Sequence, residues 1–118
     1  SLKLSGMRDA PVHIAVFCDS STLAGHGVGQ KTMPETLPYS VVGALGTLWL
    51  AARAHGIGMG WVSIVNPEVV SGILDVPPDW SLIAYLCLGY PEEEHIDPEL
   101  QRHGWQDRLD ISSFVLER

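Results

Sequence analysis

The sequence predicts one layered domain of the α+β or α/β class, on three observations. Two continuous apolar runs, Val12–Cys18 and Leu82–Leu88, are rich in β-branched, aromatic and aliphatic residues and bounded by turn residues, the pattern of buried strands. Between them, Ser40–Gly56 carries helix-boundary residues around an almost wholly apolar interior. Glycine- and proline-rich connections separate these segments, so strands and helices alternate along the chain.

Taken in order, the opening Ser1–Asp9 is of mixed character, and Pro11 stops any helix before the first strand. Asp19–Pro38 holds Gly25, Gly27, Gly29, Pro34 and Pro38 among polar residues, a connection longer than most in a small domain and of the kind that serves as a functional lid. Ser40 is placed to cap a helix through Val41, Leu45, Leu48, Trp49 and Ala52, and Gly56 stands where a left-handed C-terminal residue is wanted. This helix is apolar nearly all round until Arg53, so it must be buried on most sides, in the centre of the fold or against another subunit. Ile57–Ile64 reads as a strand opened by Gly58 and Gly60. Asn66, Pro67 and Glu68 then start a short helix to about Leu74, ended by Pro77-Pro78. The Leu82–Leu88 run, closed by Gly89 and Pro91, is apolar on both faces and therefore central rather than an edge. Glu92-Glu93-Glu94 reads as a solvated turn, and Asp97-Pro98-Glu99 opens a last short helix that Gly104 stops.

Composition bounds the function. Seven Lys and Arg against 14 Asp and Glu give a formal charge of −7, which excludes a basic nucleic-acid-coating protein. With 46% hydrophobic and 18% charged residues among 118, the chain affords one core, not two, and is far from disorder. The apolar surplus points to a buried interface. The longest apolar stretch, Val41–Ala52, falls well short of the roughly 20 residues that span a bilayer, so no membrane association is expected. Cys18 and Cys87 lie inside apolar runs without C-x-x-C spacing and read as buried thiols of a reducing cytoplasm, a disulfide being the alternative.

Few constellations carry chemistry. His13, His26, His55, His95 and His103 lack metal-ligand spacing and read as scattered surface histidines, so no metal is expected. Ser63 lies outside any G-x-S-x-G elbow, and Gly25-x-Gly27-x-Gly29 neither follows a strand directly nor opens a helix. Gly58 and Gly60 are more informative. Two positions without Cβ between a buried helix and a strand let a flat ligand approach the backbone, or else let helix and strand pack tightly.

Longer strings carry a family likeness. Tyr39-Ser40-Val41-Val42, Leu48-Trp49-Leu50-Ala51-Ala52-Arg53-Ala54 and Gly56-Ile57-Gly58-Met59-Gly60-Trp61-Val62-Ser63-Ile64 closely resemble the 5,6-dimethylbenzimidazole synthase branch of the nitroreductase-like flavin family. The likeness continues through Ser1-Leu2-Lys3-Leu4 with Gly6 and Ala10-Pro11, Tyr85–Tyr90, Asp97–Leu100, and Gly104-Trp105 followed by Arg108-Leu109. It implies an α+β fold with a mixed, mostly antiparallel sheet packed by helices, and a cytoplasmic homodimer holding FMN at the subunit interface. It also implies a place in cobalamin biosynthesis. In that branch reduced FMN is the substrate: with O2 it is broken apart, the ring system and one ribityl carbon becoming 5,6-dimethylbenzimidazole while erythrose 4-phosphate leaves. The protein supplies orientation and a pocket closed to bulk water.

The likeness covers roughly the C-terminal half of the family's sequence, so residues 1–118 are expected to form the C-terminal half of a nitroreductase-like domain. Ser1 as first residue, with no methionine before Met7, fits that expectation. The family's phosphate-gripping arginines and catalytic aspartate belong to the other half, and no residue here takes the aspartate's role. By the resemblance, Ser63 matches the flavin-side serine and is the catalytic candidate. Arg108 matches a basic residue near the phosphate, Gly58 and Gly60 shape the ring pocket, and Leu4 lines it from the entering segment. Apart from the resemblance, Ser63 reads as a strand hydroxyl and Arg108 as a solvated arginine. Two other functions stand beside the synthase: an FMN-dependent NAD(P)H oxidoreductase of the same fold, and a catalytically incomplete half-chain that dimerises through its apolar helix.

Overall fold

The computed structural model describes residues 4–118, so the opening Ser1-Leu2-Lys3 of the family-like segment lies outside the described residues. Three strands form one antiparallel sheet: β1 (Val12–Asp19), β2 (Gly58–Val62) and β3 (Trp80–Gly89), in the order β1-β3-β2. The chain is α+β, and β3 is central as its two-faced apolar pattern predicts. Register follows from which side chains share a face. Ile14, Leu86 and Trp61 lie in one cross-strand row, and His13, Cys87 and Gly60 in the next, on opposite faces of the pleat. Opposite the step from Val16 to Phe17, β3 carries one extra residue, Ile83, a bulge that bends its far end.

The helix α2 (Thr36–Ala54) lies on the first of these faces. Leu45 meets Met59, Ala84 and Leu86 there, with Val16, Trp49, Ile83 and Leu88 around them, and this is the core. The helix begins one turn before the Ser40 expected as its cap. Pro38 does not prevent this, because amides in the first turn have no intrahelical acceptor to lose, and Ser40 instead donates its hydroxyl back to the Leu37 carbonyl. At the other end Gly56 adopts φ 72°, the left-handed stop that the sequence predicts.

Two features differ from the simplest expectation. Within this chain α2 is not central: of its residues only Leu45 and Ala52 are buried, because the sheet has one face to offer, and Leu50 remains 75% exposed, so of the two alternatives burial in the centre of the fold is the one that fails. β1 is not buried throughout. It is an edge strand among the described residues, and Val12–Ile14 are exposed while only Cys18 is buried.

The smaller elements complete the chain. A helix absent from the sequence prediction, α1 (Ser5–Asp9), packs on the sheet face opposite α2, with Gly6 over Cys87. The connection after β1 contains one 3-10 turn, Ala24–Gly27, whose residues Gly25, His26 and Gly27 all take positive φ. α3 (Pro67–Leu74) begins as predicted, with the Asn66 side chain accepting from the Glu68 and Val69 amides. α4 is a single turn, Glu99–Arg102, and a 3-10 turn, Ile111–Phe114, lies near the chain's end. Cys18 and Cys87 are buried free thiols. No helix among the described residues is long and apolar enough to cross a membrane.

Candidate functional site

The strand β2 is where the sequence-predicted residues concentrate, and the structure separates the roles of its two glycines. A Cβ on Gly58 would stand 3.3 Å from the Gly89 carbonyl oxygen and 3.8 Å from Pro91, so this position serves a close backbone approach. At Gly60 a Cβ would meet nothing within 4 Å. Gly60 therefore leaves an open strip of backbone on the face that also carries Val62, Tyr85, Cys87 and His13. A planar ring can lie on such a strip, where any side chain at position 60 would lift it away.

Ser63 is not on the strand, as the sequence predicts, but the first residue beyond it. Its hydroxyl is exposed and has no hydrogen-bond partner among the described residues; the strand ladder ends at Val62, and the neighbouring Asn66 side-chain oxygen accepts from the α3 amides. It lines an open cavity of about 730 Å³ with Ile64, Val65, Asn66, Pro67 and Glu68. A serine hydroxyl can donate one hydrogen bond and accept two, and here none of these is taken up by the described residues.

Gly58 faces a different cavity, of about 770 Å³, floored by Trp49, Met59 and Pro91 and walled by Ser5 of α1 and by the segment from Glu92 to His103. The acidic run there is exposed, as predicted of a solvated turn, yet Glu94 pairs with Arg53 and Glu93 accepts from His95. That bond holds the Glu93 carboxyl below its ordinary range. Arg102 pairs with Asp97. Glu92, Glu93, Glu94, Asp97 and Glu99 are five carboxylates against the two guanidinium groups of Arg53 and Arg102, both already paired. This cavity repels a phosphate.

Arg108 stands on the exposed stretch between α4 and the last 3-10 turn, and Leu4, 43% exposed, opens α1; neither lines either cavity. Gly60 thus lies in the middle of β2 and Ser63 just past its end, three residues apart in sequence, while Arg108 and Leu4 line neither cavity. His13 is the residue that sequence reading passed over. Its imidazole bonds Tyr85 and Ala10, a contact visible only once the β1–β3 register is known. No cluster of His, Cys, Asp and Glu among the described residues is arranged to hold a metal ion.

The sequence profile of the nitroreductase family matches residues 1–90. The chain belongs to the nitroreductase family. Its fold agrees: it superposes on a nitroreductase family protein of Streptococcus pneumoniae with a TM-score of 0.75 at 17% identity, covering 100% of this chain and 70% of that one. A nitroreductase family protein of Clostridium difficile aligns with a TM-score of 0.68 at 23% identity, over 98% of this chain and 65% of the other. Within the family, the chain is similar to proteins named 5,6-dimethylbenzimidazole synthase. The Rhodospirillum rubrum protein is 62% identical over 107 residues, 91% of this chain, and one from Rhodobacter capsulatus is 48% identical over 109 residues, 92% of this chain. The chain spans about half the length of these curated relatives, 51% and 53%.

Tested against FMN, the residues fit one side of the ligand. The bare Gly60 strip and the free Ser63 hydroxyl suit the edge and face of an isoalloxazine, and Arg108 is an exposed cation for a phosphate. These groups do not close around one cavity.

Proposed function

We propose that this chain takes part in the oxygen-dependent conversion of reduced FMN to 5,6-dimethylbenzimidazole, the lower ligand of cobalamin, as the C-terminal half of a nitroreductase-like domain. The observation that carries this reading is the 62% identity to a synthase of that name over 107 residues, a span that includes β2 with its open backbone strip and the Ser63 hydroxyl just beyond it. FMN bound there supplies both the ring and the carbon that the product keeps.

The chain's own residues do the remaining work. Gly60 lets the ring approach the backbone, Ser63 Oγ holds or moves a proton at the ring edge, and Arg108 pairs with the phosphate. Gly58 sets the close packing of β2 on β3 that keeps the strip flat. Leu4, at the start of α1, borders the ring from the side of the entering segment.

The same reading includes a homodimer in the cytoplasm. Its support is the exposed apolar side of α2 and the two buried thiols, which suit a reducing compartment. The test is aerobic incubation of reduced FMN with this chain assembled with the N-terminal half of the domain, and with the 118-residue chain alone, followed by mass spectrometry of the small molecules. Benzimidazole forming at a rate proportional to the assembled protein, and none from the 118-residue chain alone, upholds the proposal. Unchanged flavin that instead cycles with NAD(P)H identifies the ordinary oxidoreductase of this family and overturns it.

A further inference from the structure

We infer that His13 and Tyr85 are positioning residues: a hydrogen-bonded imidazole and phenol that pin α1 across the sheet and thereby fix the wall beside the Gly60 strip. The link to the strip rests on the proposed function; the pin itself does not.

Three bonded groups from three elements make the pin. His13 Nε2 lies 3.1 Å from the carbonyl oxygen of Ala10, the residue that closes α1. A carbonyl only accepts, so the proton is on Nε2 and the imidazole of a neutral His13 presents a lone pair at Nδ1. The Tyr85 hydroxyl, 2.9 Å from Nδ1, donates into it. The rings meet edge to face, with centroids 5.6 Å apart at 70°, which fixes the imidazole plane as well as its tautomer. Cys87 Sγ is 4.0 Å from the same nitrogen, too far to compete with the phenol, and burial pushes its thiol up, so it packs as a neutral group under Gly6.

The helix needs such a pin. It has five residues, none buried, with no side-chain cap at its N-terminus, and a single helical turn is marginal on its own. What holds it is Gly6 resting on Cys87, Pro11 seated against Gly89, and the His13 bond at its C-terminal end. Its other end reaches the β2 side of the sheet, where Ser5 lines the cavity that Gly58 enters. α1 therefore crosses the same face on which Gly60 is bare, and a shift at Ala10 carries to the ring-facing side.

Two isosteres separate the bonds. Asn at position 13 keeps an acceptor at the Nδ1 position for Tyr85 and loses the donor to Ala10; Gln keeps the donor and loses the acceptor. Nitrogen-15 spectra of the wild-type imidazole are expected to show the proton on Nε2. His13→Asn is expected to speed exchange of the Asp9 and Ala10 amides roughly threefold to tenfold, as for loss of one net hydrogen bond. His13→Gln restores most of the protection, and the conservative Tyr85→Phe falls between. A proton on Nδ1, or equal exchange in wild type and His13→Asn, overturns the pin. FMN affinity, read by flavin fluorescence, is expected to fall severalfold in His13→Asn and recover in His13→Gln; loosened α1 amides with unchanged FMN affinity overturn the link to the strip. An assembled domain of both halves that binds no FMN refutes the proposed function, while the exchange data still decide the pin.

Discussion

Ser63 illustrates how a residue's use depends on where a strand stops. Had β2 run one residue further, its backbone would be fixed in the ladder; ending at Val62 leaves the side chain at an open mouth with nothing bonded to it. A hydroxyl that acts on a proton during turnover, rather than gripping the ground state, affects rate more than affinity. Ser63→Ala in the assembled enzyme is therefore expected to keep FMN affinity within a few-fold while benzimidazole yield falls about tenfold, roughly 1.4 kcal/mol of barrier. Wild-type yield from the variant returns Ser63 to a loop hydroxyl. Arg108 makes a different prediction because its partner is a charge. Arg108→Ala is expected to weaken FMN about tenfold or more and riboflavin, which lacks the phosphate, hardly at all. Equal losses in parallel titrations assign Arg108 to packing. At this scale the sequence made Ser63 and Arg108 visible only through their family-like strings. The two glycines could not be told apart, since the 3.3 Å approach of Gly89 to one and the empty space at the other are properties of strand register.

The elements were legible where local chemistry decides them. Asn66-Pro67-Glu68 combines cap, fixed φ and first-turn acid, and α3 starts there. Asn66→Ala removes the acceptor of two amides and is expected to cost about 1 kcal/mol in denaturant unfolding, whereas Asn66→Asp, which keeps the acceptor, costs little. The last 3-10 turn is built the same way. Asp110 accepts from the Ser112 hydroxyl and amide, and those bonds hold its carboxyl below the ordinary carboxylate range. A depressed folded value means that its contribution is complete above the unfolded pKa and is lost as pH falls through the lower folded one. The Ser112 amide is thus expected to stay protected from pH 7 to pH 5 and to lose protection only in acid below about pH 4. Protection that declines near neutrality contradicts this. Elements decided by tertiary contact were the ones missed. α1 has no periodicity to announce it, and its support is a seat on Cys87, set by distant pairing, and a bond from the His13 ring, which Tyr85 of β3 orients.

The chain exposes more surface than a complete domain of its size. A folded chain of 12.8 kDa is expected to present about 6,300 Å² and to have a radius of gyration of about 13.5 Å; this one presents 9,342 Å² at 17.2 Å. The excess of about 3,000 Å² is surface for the rest of the proposed domain and a second subunit to cover. It is also apolar where it matters: Tyr39, Val42 and Leu50 along α2, and Trp105, Leu109, Ile111, Phe114 and Leu116 toward the end of the chain. The sequence already carried this signal, as a surplus of apolar residues and a helix with no polar side, but composition cannot say which faces the chain covers itself. The structure does: Leu45 and Ala52 turn inward, Trp49 packs beside them, and Tyr39, Val42 and Leu50 stay on the outer side of α2. Light scattering at micromolar concentration is therefore expected to find a defined dimer rather than a monomer. Leu50 offers the decisive substitution because it is 75% exposed and contributes little to the chain's own core. Leu50→Glu places a charge on the outer face without touching Leu45, Met59 or Leu86, so it is expected to leave strand and helix content unchanged while lowering self-association at least about tenfold, the effect of removing one buried interface anchor. A wild-type chain that stays monomeric and monodisperse at that concentration, with α2 open to solvent, refutes the dimer, and the missing side of the flavin cradle then has to come from some other surface.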